Sequence, residues 1–251
     1  MECVKQVPLV FLVMSGRTRN DYQEVLQKIV DLLQCQPQVS KVVLDFEQAL
    51  WGAVRAVLGD SVARMGCVFH WSPAIWRKVQ ELGLSIAYQE DQGTHAFIRN
   101  LLALPFIPHE EIRTVFLYLE RQATTKALCN LTRYIRDQWI DSTFPPEEWS
   151  VYGQAIRTNN DVEGWHNGLN RRAQGKVHFP FHMLIEFLKK ESELVHLQMR
   201  LVTEQKSKRI QRKQYRDLQG KLIGQWEEYS GQRKNVFQLL KACAHLYGRG
   251  H

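Results

Sequence analysis

Apolar positions in the first third of the chain form short continuous runs that alternate with stretches repeating every three or four residues. Val7–Met14, which contains the apolar run PLVFLVM (8–14), predicts a strand covered on both faces, because both pleat directions are apolar. Tyr22, Val25, Leu26, Ile29, Val30 and Leu33 then fall at helical spacing, with Asn20 or Asp21 as the cap. Lys41–Leu44 (KVVL) predicts a second buried strand, which ends on Asp45. Gln48–Leu58 is amphipathic through Leu50, Trp51, Val54, Val57 and Leu58, and Gly59-Asp60 stops it. Met65–Trp71 (MGCVFHW) predicts a third strand, and a helix from about Pro73 to Leu82 ends at Gly83. Strands alternating with helices in this way predict an α/β fold with a largely parallel sheet.

From Ile86 to about Ile140 the spacing is helical only, broken by Pro105 and Pro108 and closed by Pro145-Pro146. This segment is expected to be an insertion. Phe181 to about Leu218 predicts one long helix with Gly220 as its stop, and its second half is strongly basic.

Charge sharpens the picture. The net charge is +7, and from Gly164 to the end there are 17 Lys/Arg against 7 Asp/Glu. The excess positive charge therefore belongs to the C-terminal third, a distribution that fits a polyanionic partner. Five scattered cysteines without a CxxC pair point away from a disulfide framework and toward a reducing, intracellular compartment. No apolar run approaches the roughly 20 residues needed to span a bilayer. The Pro8–Met14 run lacks the basic leader and cleavage site of a signal peptide.

Four features carry candidate chemistry. Asp45 stands at the C-terminal end of a predicted strand, where α/β sheets collect ligands, and its carboxylate suits Mg²⁺. The alternative is that Asp45, or Glu47, caps the next helix. Cys67 and His70 form a CxxH whose sulfur and nitrogen suit Zn²⁺, with His109 or His166 as distant partners; the alternative is a buried thiol and a packed imidazole. The stretch RTNNDVEGWHNGLNRR (157–172) predicts a helix starting at Asn160 or Asp161, with Val162, Trp165, Leu169 and Ala173 as its apolar stripe. Glu163 is either a ligand projecting from the first turn or the second half of a capping box with Asn160. Lys206, Lys208, Arg209, Arg212 and Lys213 belong to the basic stretch, which either neutralises phosphates or is a solvated face.

The ordered words PLVFLVMSGRTRNDY, KVVLDFEQALWGAV, GCVFHWSPAIWRKVQELGL, LPFIP and RTNNDVEGWHNGLNRR resemble the Mutator-like (MULE) transposases, particularly those of animal genomes. The resemblance covers roughly residues 7 to 200. It implies an RNase H-like fold with a helical insertion: core 1–85, insertion 86–150, return to the core 151–199, and a basic helical extension 200–251. It also implies DNA as substrate, a nuclear location, and a site of three carboxylates holding two Mg²⁺ or Mn²⁺ ions. By position Asp45 matches the second carboxylate of that site and Glu163 the last. Arg157, Arg171 and Arg172 are then expected near DNA phosphates. The family's first aspartate lies upstream of the segment matching Val7–Met14, where only Glu2 is acidic here. The expectation is an incomplete triad, first strands missing from the sheet, and an open edge that a second copy or partner chain would cover. The expected activity is accordingly that of a cleavage-deficient transposase-derived domain, with a non-enzymatic DNA-binding or protein-interaction module as the alternative.

Overall fold

A computed structural model describes residues 8–33, 37–154, 160–172, 180–203 and 213–247. These belong to two compact units, Arg17–Thr158 with Lys213–His251, and Met1–Gly16 with Asn159–Arg212.

The larger unit opens on helix α1 (Arg19–Leu32). Its N-cap is Thr18 rather than Asn20 or Asp21. The Thr18 hydroxyl accepts from the Asp21 amide at 3.2 Å, and the Asp21 carboxylate accepts from the Thr18 amide at 2.7 Å. Asp21 is therefore the returning half of a capping box. Thr18→Ala should cost about 1 kcal/mol, read as faster amide exchange in the first turn of α1. Hydrogen bonds from the Thr18 side chain and backbone hold the Asp21 carboxyl below its ordinary 3.8. That contribution is present above the ordinary value and fades as pH falls through the lowered one.

Strands β1 (Lys41–Leu44) and β2 (Ala63–Gly66) pair in parallel, from Lys41 opposite Ala63 to Leu44 opposite Gly66. Parallel neighbours need a long crossover, and α2 (Gln48–Leu58) supplies it. It ends at Gly59, whose φ of +83° is cheap only for glycine. Trp51 and Val54 of α2 close a small core with Leu44, against which Leu26 of α1 packs. The chain is thus α/β around a two-stranded parallel sheet, but predominantly helical.

The third expected strand is much shorter than Met65–Trp71. It ends at Gly66, and Val68–His70 form a 3₁₀ turn that runs into α3 (Trp71–Glu81). Cys67, Val68 and Trp71 around the turn are buried, and periodicity does not separate a buried strand from a turn anchored by buried residues.

The helical segment comprises α4 (Ser85–Glu90), α5 (Gln92–Leu102), α6 (His109–Glu120), α7 (Lys126–Ile135) and the short α8 (Pro146–Trp149). Pro105 lies in a 3₁₀ turn over Leu104–Phe106, and Pro108 is the residue before α6. Past Ile135 the backbone widens into a π-helical turn, Arg136–Ile140, which carries Trp139 inward. The Val151 amide donates to the Pro105 carbonyl at 2.7 Å and the Ser150 hydroxyl to Ile107 at 2.9 Å, tying the end of the segment to its middle. These helices do not stand apart from the sheet. Met65, Val68, Trp71 and Ile75 share one continuous core with Ile98, Leu101, Phe116, Leu131 and Trp149.

In the smaller unit, α9 (Asn160–Arg172) begins where the spacing placed it. Trp165 is half-buried and stacks on Phe11, with centroids 5.1 Å apart. The described part of the expected first strand, 8–14, is neither strand nor helix, and Leu9, Val10, Leu12 and Val13 are exposed. Apolar character alone does not make a strand; a ladder partner is also needed.

Of the expected long helix, the described residues show α10 (Phe181–Thr203), assigned to the smaller unit, and α11 (Lys213–Ser230), assigned to the larger. Residues 204–212 lie outside the described set. Gly220 does not stop anything; it lies within α11, where burial of Leu222 and Trp226 outweighs the roughly 1 kcal/mol helix penalty of glycine. The Trp226 indole N–H donates to the Phe106 carbonyl at 2.8 Å. The last helix, α12 (Val236–Tyr247), buries Leu239, Leu240 and Cys243 in the same core. No helix among the described residues is long and apolar enough to cross a membrane.

Candidate functional site

The two parallel strands end side by side, and the chain leaving each carries polar chemistry. Beyond β1 come Asp45, Phe46 and Glu47; beyond β2 comes the turn with Cys67 and His70. Phe46 is the anchor. Its ring meets Trp139 edge-on at 4.7 Å and Phe144 at 5.5 Å, in an aromatic cluster continued by Trp71 and Trp149. Burying the middle residue of Asp45-Phe46-Glu47 leaves its acidic neighbours to face outward.

Neither carboxylate caps α2. Glu47 occupies the N-cap position, yet its side chain makes no capping hydrogen bond. Glu47 Oε2 instead accepts the Tyr22 hydroxyl of α1 at 2.9 Å. The Asp45 backbone carbonyl takes the Glu47 amide and the Trp51 indole N–H, each at 2.8 Å. The Asp45 carboxylate itself is turned toward solvent, 55% exposed.

His70 completes the corner. Its Nδ1 lies 3.4 Å from Asp45 Oδ1, and Nδ1 is buried and makes no hydrogen bond with the described residues. The two sequence candidates at the strand ends are thus brought together in space. Cys67 has a different role. Its amide extends the β1–β2 ladder to the Leu44 carbonyl at 2.8 Å, its carbonyl accepts from the His70 amide at 3.1 Å, and its side chain is buried.

Tyr22, Arg17 and Phe69 were not foreseen as part of this corner. The Tyr22 hydroxyl is raised above its ordinary value, first by burial and then by the hydrogen bond and charge of Glu47; Asp45 adds to the rise and Arg17 opposes it. The sequence offered Tyr22 only as one apolar position among several, because which turn of α1 meets Glu47 is decided by the packing of α1 on α2.

The remaining candidates are placed as follows. Glu163 lies in the first turn of α9, with its side chain outside the described set, as is that of Lys213 at the start of α11. Arg157, Lys206, Lys208, Arg209 and Arg212 lie outside the described residues, and so does the His166 side chain. Arg171 is exposed. Arg172 makes a bidentate pair with Glu191 of α10, at 2.6 Å for each bond. His109 sits between Glu110 at 3.1 Å and Glu147 at 3.7 Å, which accounts for its polar surroundings without Cys67. Among the described residues, no group of three or more His, Cys, Asp and Glu side chains is arranged to hold a metal ion.

Searches of family models, curated proteins and solved structures find no match to this chain. The corner itself, rather than any relative, is what carries a functional reading.

Proposed function

We propose that this chain is a transposase-derived domain of RNase H-like ancestry that binds DNA and has little or no cleavage activity of its own. The observation that supports this reading is the strand-end corner, where an exposed carboxylate that caps no helix faces the His70 imidazole across the ends of two parallel strands. Carboxylates at that position suit divalent-ion chemistry on phosphates. The order of motifs and the basic C-terminal third favour DNA as the polyanion.

Magnesium or manganese would find one hard donor in Asp45. Two-ion phosphoryl transfer calls for more carboxylates than the described residues bring together. Zinc would find His70 beside Asp45, with Cys67 held in the core, again short of a four-donor shell. Asp45 and His70 in this reading hold water that hydrates a nearby phosphate rather than drive its hydrolysis.

The test is duplex-DNA binding across a salt series, paired with incubation of the same DNA with Mg²⁺ or Mn²⁺. The expected result is affinity that falls steeply with salt, with cleavage absent or very slow. Salt-independent binding, or none at low salt, would remove the DNA reading. Robust cleavage abolished by Asp45→Ala would replace it with that of an active nuclease.

A further inference from the structure

We propose that Phe69 is a stacking platform for an unpaired nucleobase, so that the Asp45–His70 corner receives DNA with a single-stranded end. This rests on the DNA-binding reading above and adds the form of DNA that the corner recognises.

The larger unit contains seven phenylalanines, and Phe69 alone among them is exposed, at 44%. Looseness does not account for this. The turn is pinned on both sides, by Cys67 and Val68 before it and by Trp71, which is 1% exposed, after it. In a 3₁₀ turn residues three apart lie over one another. Val68 and Trp71 therefore share the inward side, and Phe69 and His70 are left facing out. The geometry would accept any polar residue at position 69, so an aromatic ring there keeps a large apolar surface in water at a cost the turn does not require.

Its neighbours define what could use that ring. Phe69 meets the His70 ring edge-to-face, with centroids 5.8 Å apart, and His70 in turn faces Asp45 at 3.4 Å. A flat π surface edged by an imidazole suits the face of a nucleobase, with the phosphate lying clear of the Asp45 carboxylate. A base inside a duplex is already stacked on its neighbours, so only an unpaired one can transfer its face to Phe69. Stacking of this kind is tolerant of sequence and is strong enough to dominate a local contact.

The experiment uses the full chain and two labelled DNAs of one sequence, a blunt duplex and a fork with an unpaired end. Affinities are compared for wild type, Phe69→Ala and Phe69→Trp. The expected result is that Phe69→Ala weakens fork binding about tenfold, leaves duplex binding unchanged, and that Phe69→Trp restores the fork. Equal fork affinity in wild type and Phe69→Ala, an equal loss on both DNAs, or no rescue by tryptophan would each overturn the inference while leaving the DNA-binding reading intact. Failure of wild type to bind either DNA would overturn both.

Discussion

Gly66→Ala is expected to destabilise the larger unit by about 3 kcal/mol and to lower its melting temperature by about 6–12 °C. A Cβ built at Gly66 falls 2.3 Å and 2.4 Å from two carbons of the Phe46 ring, far inside any real contact distance. The ring has nowhere convenient to go. Trp139 and Phe144 pack against it, and Trp71 and Trp149 close the cluster behind Trp139. The clash therefore spreads into a close-packed interior that does not yield by small adjustments. Because Phe46 sits between Asp45 and Glu47, the variant should also disturb the corner. Combining Gly66→Ala with Phe46→Leu should recover part of the lost stability, since the shorter side chain vacates the contested space. A thermal melt of Gly66→Ala within a degree of wild type would mean that Phe46 does not cross Gly66 in solution.

Arg172→Ala is expected to cost the smaller unit about 3–5 kcal/mol, measured by denaturant unfolding. Its partner Glu191 has a side chain only 4% exposed, and both of its oxygens are taken by the Arg172 guanidinium. Removing the arginine strands a buried charge, whereas removing the glutamate does not, because the Arg172 side chain is 45% exposed and can return to water. Glu191→Ala should therefore cost less than Arg172→Ala. The double substitution Arg172→Met/Glu191→Leu should lie near wild type, as apolar replacement of a whole buried pair does elsewhere. Equal costs for the two single variants would contradict the buried-charge account. The pair also changes what Arg172 can tell about DNA. A loss of DNA affinity in Arg172→Ala would be inseparable from loss of fold, and Arg171→Ala is the cleaner probe of a phosphate contact, expected to reduce the salt slope by about 1.

Gln48–Leu58 was legible in full and the end of the helix before Gly83 to within a residue, because an amphipathic stripe with a glycine stop encodes both a face and an end. The start of that second helix, at Trp71, was hidden in the apolar run before it. KVVL was legible for a related reason: three consecutive apolar residues, two of them β-branched, between polar neighbours have few other uses. The failures share a cause. Val7–Met14, Met65–Trp71 and Phe181–Leu218 are apolar or periodic runs whose composition does not reveal where a partner is present. The first has no ladder partner among the described residues, the second turns after Gly66, and the third runs past its expected end at Leu218 to Ser230. Gly220 was misjudged because local propensity is worth about 1 kcal/mol, less than the burial of Leu222 and Trp226 on either side of the next turn.

The sequence by itself determined the α/β character, the crossover helix, the placing of Asp45 at a strand end, the start of α9 and the basic third of the chain. These follow from spacing and composition, which are local. Tertiary structure decided what the acids do. Packing of α1 on α2 delivers Tyr22 to Glu47 and removes it from capping, and the aromatic cluster around Phe46 turns Asp45 outward. The parallel register sets the turn after β2 beside the end of β1, which brings His70 to Asp45 and leaves Phe69 exposed next to them. Such contacts join residues twenty or more positions apart, and no local pattern records which of them will meet.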